Sequence, residues 1–336
     1  MKTAVVIFGA NGFLGRYLCR HFVRQGREVV AVGRRKEDWS GDGMFLEWDG
    51  KTIGPWALAL EGAGLVINLA GRSVDCRYTE ENRREILDSR IAATRVIGEA
   101  IAACEAPPAV WMNAGTATWY RHAEDRPQDE FAGEPGEGFS VEVARRWEQA
   151  FFTAKTPGHT RKLALRIGMV MANEPDTVAD VLGKLVRRGL GGRMGSGKQR
   201  VSWIHMDDFL EIISRLEADP LADGVFNVTA PEAPTNAEMM LHFREIQGMP
   251  VGLPAEEWML KLGALLMRTE TELVLKSRWA EPGRLLDDGY RWRWPEMGPA
   301  LHDLESRRGL NGFFRVPARR AFGARVWTTG GRLRTT

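Results

Sequence analysis

Cysteine is scarce in this chain of 336 residues: Cys19, Cys76 and Cys104 are odd in number and carry no metal-ligand spacing. That excludes a disulfide scaffold and a cysteine metal centre, and it leads us to expect a reducing, cytoplasmic compartment. No apolar run approaches the ~20 residues of a membrane-spanning helix, so no membrane partner is expected. The first strand pattern begins almost at Met1, so no signal peptide is expected. A strong charge of one sign is also missing, since the net charge is only +2. That sum hides an imbalance. From Glu305 to Thr336 there are eight arginines against one glutamate, a net of +7 that leaves −5 on the rest. The body therefore has no nucleic-acid footprint. The tail, where Phe313, Phe314, Phe322 and Trp327 interleave with arginine, keeps nucleic acid or an acidic surface open as a partner. Docking back on the negative body is the preferred reading.

What is present starts at residue 4. The β-forming run Ala4 to Phe8 leads into Gly9, Gly12 and Gly15, and a helical pattern follows with Leu14, Leu18 and Phe22 at i, i+4 and i+8. Strand, glycine turn and helix open a dinucleotide-binding fold. Gly9 allows the sharp turn, Gly12 lets the backbone approach a pyrophosphate, and Gly15 lets the helix lie close to the strand. Asn11, Phe13 and Leu14 fill the turn between them. The spacing G-x-x-G-x-x-G departs from the commoner G-x-G-x-x-G, so the flanking strand and helix carry the argument against an ordinary loop.

The second strand, near 28–32, ends in Gly33-Arg34-Arg35. An NAD-selective fold places an acid here for the ribose 2′-hydroxyl. Two guanidinium groups instead suit a 2′-phosphate, so NADP(H) is expected; a solvated basic turn is the alternative. Further strands are predicted at 45–48, 65–70, 110–113, 163–167, near 201–204 and at 225–228. Helices are predicted over 79–104, 140–154 and 178–188, after His205 and from Thr235. Asn68, Leu69, Ala70 and Gly71 end the fourth strand with small residues, where a cofactor can lie close. Six acids and several glycines make 121–138 a long loop of functional type. The glycine-rich stretch Gly189 to Gly197 lacks a following Gly-Lys-Ser/Thr, which excludes a nucleotide hydrolase. Arg193 and Lys198 beside it suit either an anionic substrate or a solvated loop.

These residues carry a family likeness. The chain resembles the extended short-chain dehydrogenase/reductases. Within them it resembles the atypical NAD(P)-dependent epimerase family proteins whose C-terminal region is a domain of unknown function. The likeness runs over about residues 3–304. It rests on Gly9 to Gly15, Asn68 to Gly71, Asp88-Ser89-Arg90-Ile91, Leu165 to Gly168, Gly195 to Gln199, Ser202 to Asp208, Asn227 to Pro231 with Thr235 to Glu238, and Pro282 to Leu286 through Tyr290 to Leu301. It implies an α/β fold: a Rossmann-type doubly wound parallel sheet with a smaller C-terminal substrate lobe. The divisions expected are a cofactor core over 1–171, completed near 201–229, a lobe mainly over 172–304, and the basic aromatic tail over 305–336. The resemblance also implies cofactor contacts from the glycine turn, Gly33, Arg34, Leu69, Ala70, Glu85 and Arg90, with Val170 near the nicotinamide end.

One departure bears on mechanism. Catalytic members of the wider superfamily use a Tyr-x-x-x-Lys pair, in which lysine and ribose lower the tyrosine pKa. Aligned on Glu148, those positions hold Ser140 and Ala144. Thr116 matches the superfamily's Ser/Thr and would hold a substrate oxygen. Tyr120, four residues on, is a candidate base, although packing is the simpler reading and no lysine adjoins it. His205 with Asp207 or Asp208 suggests an acid/base or metal set, against the simpler view that His205 holds a strand end and Asp207 caps the next helix. Two functions follow. One is an NADP(H)-dependent oxidoreductase or epimerase acting on a small polar substrate. The other is an NADP(H)-binding sensor or scaffold without turnover.

Overall fold

The structure, a computed structural model, describes residues 3–259 and 275–310, the last two by backbone alone. Seven parallel strands form the main sheet: β1 (Val5–Phe8), β2 (Val29–Gly33), β3 (Met44–Glu47), β4 (Leu65–Asn68), β5 (Val110–Thr116), β6 (Arg161–Ile167) and β9 (Gly224–Val228). Their order is β3-β2-β1-β4-β5-β6-β9. Alternate side chains feed two faces. Val5 and Ile7 of β1, with Leu65 and Ile67 of β4, pack under α1 (Phe13–Arg24) and α5 (Met206–Ala218). Val6, Phe8 and Val66 face α2 (Glu80–Ala102), and Phe151 of α3 (Phe139–Thr153) closes that face. Burial on both faces explains why the strands read as continuous apolar runs.

The strand expected near 201–204 is β8 (Trp203–His205). It leaves the main sheet and pairs instead with β7 (Met169–Met171), just beyond β6. This ribbon is the seam between two cores. Val170 and Ile204 point into the sheet's core, while Trp203 and Met171 enter a second one. The second core packs α4 (Val178–Arg187), α6 (Asn236–Ile246) and α8 (Met297–Leu310); the short α7 (Gly283–Asp287) lies against β9. Thr235 and Glu238 close α6 with a reciprocal capping box.

The first residues assigned to the tail continue α8, where Arg307 pairs with Asp207 and Asp303, and Arg308 with Asp180 and Glu305. Residues 311–336, with the four tail aromatics, lie outside the described residues. Among the described residues no helix is long and apolar enough to cross a membrane.

Candidate functional site

Strand order reverses between β1 and β4, and open α/β sheets bind ligands in the crevice at the carboxyl ends of such strands. The glycine turn stands there. Gly9 has φ +78°, and a Cβ on it would lie 2.9 Å from the Leu69 carbonyl carbon. Gly12 is the N-cap of α1. It has no side chain to cap with, and the first turn holds no acid, so the helix's leading N–H groups and positive end are left for an anion. A Cβ on Gly15 would come within 2.6 Å of Ala10. Phe13 and Leu14 pack toward the core, Phe13 edge-on to Tyr17 at 5.4 Å. Asn11 reaches across to β2: its Nδ2 donates to the Arg35 carbonyl at 3.4 Å, and its Oδ1 fills the space a Cβ on Gly33 would need.

The two arginines after β2 differ. Arg35 is held by Asp38 at 2.7 Å. Arg34 is exposed and has no ion-pair partner among the described residues.

The end of β4 is fixed by a buried polar network. Asn68 Nδ2 donates to Asn113 Oδ1 at 2.7 Å and to Thr94 Oγ1 at 3.1 Å, and Trp147 Nε1 donates to the same hydroxyl at 3.0 Å. Asn68 Oδ1 accepts from the Ala70 N–H at 3.0 Å, while Leu69 N donates to the Phe8 carbonyl at 3.0 Å. Four elements are thus tied to the strand end that carries Leu69 and Ala70. Thr94, Asn113 and Trp147 escaped the sequence reading. Their signal was a hydroxyl on the apolar face of α2, between Ala93 and Ile97.

Gly71 backs onto Arg90, whose Nη1 donates to the carbonyls of Arg72 and Ile86, with Trp147's ring 5.1 Å from the guanidinium. Burial lowers the Arg90 pKa to about 10, which leaves it cationic at neutral pH. Glu85 does not join it. It pairs with the Arg72 side chain, so Arg72 stands between the two residues expected to act together.

At the end of β5, Thr116 donates to Thr118 Oγ1 at 3.0 Å, and Thr118 accepts from Arg278 Nε at 2.9 Å. The C-terminal lobe thereby reaches Thr118, the partner of the hydroxyl expected to hold substrate, a contact 160 residues apart in sequence. Tyr120 leaves the candidate catalytic set. It is 1 % exposed, its hydroxyl donates to Asn227 Oδ1 at 2.9 Å, and burial pushes its pKa up to about 12. Such a phenol stays protonated and packs. Arg166 stacks 3.6 Å over Trp119 and grips Glu148 through two hydrogen bonds of 2.8 and 2.9 Å, locking α3 to β6. Val170 is half-buried on β7, just past the end of β6.

Other candidates are engaged within the protein. The acidic loop is tied down: Arg121 holds Asp125 and Glu134, and Gln128 exchanges backbone bonds with Trp279 and Glu281. Arg193 is committed to Glu256 at 2.8 Å. Asp207 is not the cap of α5. His205 is, its Nδ1 accepting from Asp207 N at 3.0 Å, while Asp207 itself pairs with Arg307. His205, Asp207 and Asp303 do cluster, with Arg307 bonded to both carboxylates. The guanidinium supplies the cation that the acids need.

The sheet and its crevice define a dinucleotide-binding α/β protein of the extended short-chain dehydrogenase type. The family described as the NAD dependent epimerase/dehydratase family matches residues 5–229, and a domain of unknown function (DUF1731) matches 257–304. The chain belongs to the NAD dependent epimerase/dehydratase family. It is 29% identical to the human epimerase family protein SDR39U1 over 305 residues, 89% of this chain and 99% of that one. It is 26% identical to the Bacillus subtilis epimerase family protein YfhF over 307 residues, 90% and 98% of the two chains. A crystal structure of the human SDR39U1 protein with NADPH superposes with a TM-score of 0.79 over 90% of this chain and 99% of that one, at 29% identity.

Proposed function

We propose that this protein is an NADP(H)-binding oxidoreductase or epimerase that acts on a small polar substrate. The observation that carries the cofactor choice is the end of β2: no acid waits for a ribose hydroxyl, and Arg34 stands exposed beside the glycine turn. The residues fit the group. Gly9, Gly12 and Gly15 clear the backbone, the uncapped start of α1 receives the pyrophosphate, and Arg34 takes the 2′-phosphate. Leu69, Ala70 and Arg90 border the crevice from β4 and α2, and Thr116 orients the substrate oxygen. Bound there, the cofactor would supply hydride transfer. The NADPH in the crystal structure of the human relative supports the same choice.

The test is a paired titration of NADPH and NADH on the wild type and on Arg34→Ala. We expect NADPH to bind at least tenfold more tightly, about 1.4 kcal/mol, and Arg34→Ala to erase the margin. Equal affinities in the wild type would sink the assignment. Ser140 and Ala144, in the places of the usual Tyr and Lys, favour a second reading, an NADP(H)-binding sensor or scaffold without turnover. NADPH oxidation over a panel of carbonyl compounds, with product analysis to catch an epimerase that recycles its cofactor, separates the two.

A further inference from the structure

An ion pair joins the C-terminal lobe to the glycine turn. Arg16 is the fourth residue of α1, and its side chain runs back toward the helix start, as helix side chains do. Its Nη1 donates to the Asn11 carbonyl at 2.8 Å, which sets the guanidinium against the turn that a pyrophosphate would meet. Its Nη2 donates to Glu174 Oε1 at 2.5 Å. Glu174 belongs to neither the main sheet nor α1. It lies in the loop 172–177, which leaves β7 and enters α4 of the second core. Both side chains are half-buried. Tyr17, the next residue of α1, feels the same carboxylate: burial first, and then the Glu174 charge, push its phenol up to about 12.

A carboxylate held here occupies the guanidinium that a pyrophosphate would use. Carboxylate and phosphate offer an arginine fork the same pair of acceptor oxygens, so the two compete for it. The loop that carries Glu174 is a closed unit with a loose back. Thr177 ties its ends together, its Oγ1 donating to the carbonyls of Ala172 and Glu174 at 3.1 and 2.8 Å. Asp176 holds a left-handed backbone with φ +63°, a conformation rare outside glycine. A cavity of about 30 Å³ is bordered by Ala172, Asn173, Asp180 and Arg308. The Asn173 amide nitrogen is buried without a hydrogen-bond partner among the described residues. The loop is thus held by Arg16 on one side and incompletely seated on the other.

We propose that Arg16 is a pyrophosphate-binding residue of the cofactor site and that Glu174 is its exchangeable partner, displaced when the cofactor binds. The proposal rests on the NADP(H) reading above. The Nη2–Glu174 bond breaks, the guanidinium turns its fork to pyrophosphate oxygens, and the loop 172–177 is released. That loop leads into α4, whose Asp180 is paired with Arg308 of α8, so the second core registers whether the crevice is filled. Glu174 is a positioning residue for the lobe and not a cofactor ligand.

The test is a double-mutant cycle read by binding. NADPH and NADH are each titrated against the wild type, Arg16→Gln, Glu174→Gln and the double variant. The pyrophosphate is common to both nucleotides, so both should respond alike, whereas Arg34→Ala should affect NADPH alone. We expect Arg16→Gln to weaken binding about tenfold and Glu174→Gln to tighten it about threefold. In the Arg16→Gln background the Glu174 substitution should lose most of its effect. Tightening of the same size without Arg16 would mean plain charge repulsion and overturns the exchange. Weaker binding in Glu174→Gln, or unaltered binding in Arg16→Gln, overturns it too. A gain of affinity in Glu174→Gln cannot come from misfolding, so that arm stands even if Arg16→Gln is unstable. Hydrogen exchange is the second readout. Saturating NADPH should speed exchange of the amides over 173–177 in the wild type and leave it unaltered in Arg16→Gln. Slower exchange would mean that the loop closes on the cofactor with its ion pair kept, and this also overturns the proposal. A wild type that binds neither nucleotide sinks the cofactor site and this proposal with it, whereas binding that Glu174→Gln leaves unaltered sinks the exchange alone.

Discussion

Asn68 shows how much of this site rests on one uncharged side chain. Its amide joins β4, α2 and β5 and turns the Ala70 N–H inward, all without exposure to water. Asn68→Ala leaves the Ala70 N–H without its acceptor and Asn113 Oδ1 with the Thr94 hydroxyl as its remaining donor, and an unpaired buried polar group costs about 1–3 kcal/mol. Urea unfolding should register a loss of that order, with weaker NADPH binding because the strand end loses its anchor. A wild-type midpoint would contradict this account. The sequence placed Asn68 at the crevice because small residues follow it at a strand end. It could not reveal Thr94 and Asn113 as its partners, 26 and 45 residues away, since sequence periodicity carries no record of which side chains meet across elements. Tyr120 drew attention because it lies four residues from Thr116, but the backbone after β5 turns it into the core.

Elements were more legible than contacts. Parallel strands buried on both faces are apolar runs, and α1 and α6 announce themselves by a glycine turn and a capping box. The start of α5 was misread because aspartate is the usual N-cap, whereas here the imidazole of His205 accepts the helix N–H and Asp207 is drawn to Arg307. That buried cap has a pH consequence. Burial lowers the His205 pKa from the ordinary 6.5 to about 4. Between those values the unfolded chain binds a proton that the folded one refuses. Stability from this group is therefore complete above about pH 6.5 and is lost as pH falls toward 4. His21, also lowered by burial, adds in the same direction, whereas Glu130 and Asp208, both raised by burial, oppose it. The difference between wild type and His205→Asn isolates the cap, because asparagine keeps an acceptor for Asp207 N without the titration. Denaturant unfolding at pH 5 and pH 7.5 should show a smaller pH loss in the variant. Equal losses would remove His205 from the account.

On the scale of the molecule, the two cores are coupled through the β7–β8 ribbon and α5. Successive residues Trp203 and Ile204 enter different cores, and the α5 helix that covers the sheet is tied near its start, through Asp207, to Arg307 of α8. This coupling matters for a site whose hydroxyl pair, Thr116 and Thr118, comes from the sheet while Arg278 comes from the C-terminal lobe. A lobe that loosened independently would pull Arg278 off Thr118 and open the crevice. Leu301, 3 % exposed on α8, tests the point from within the second core. Leu301→Ala should cost about 2–5 kcal/mol, the ordinary range for a cavity in a packed core. If the cores fold as one, that loss appears as a single transition moved to lower denaturant for both near-UV and far-UV signals. Saturating NADPH, at about a hundred times its Kd, should then restore about 2.7 kcal/mol to the whole transition. A split transition, in which NADPH protects one phase alone, would mean that the ribbon only tethers the lobe. Arg278 would then reach Thr118 by docking of the lobe after the sheet has folded.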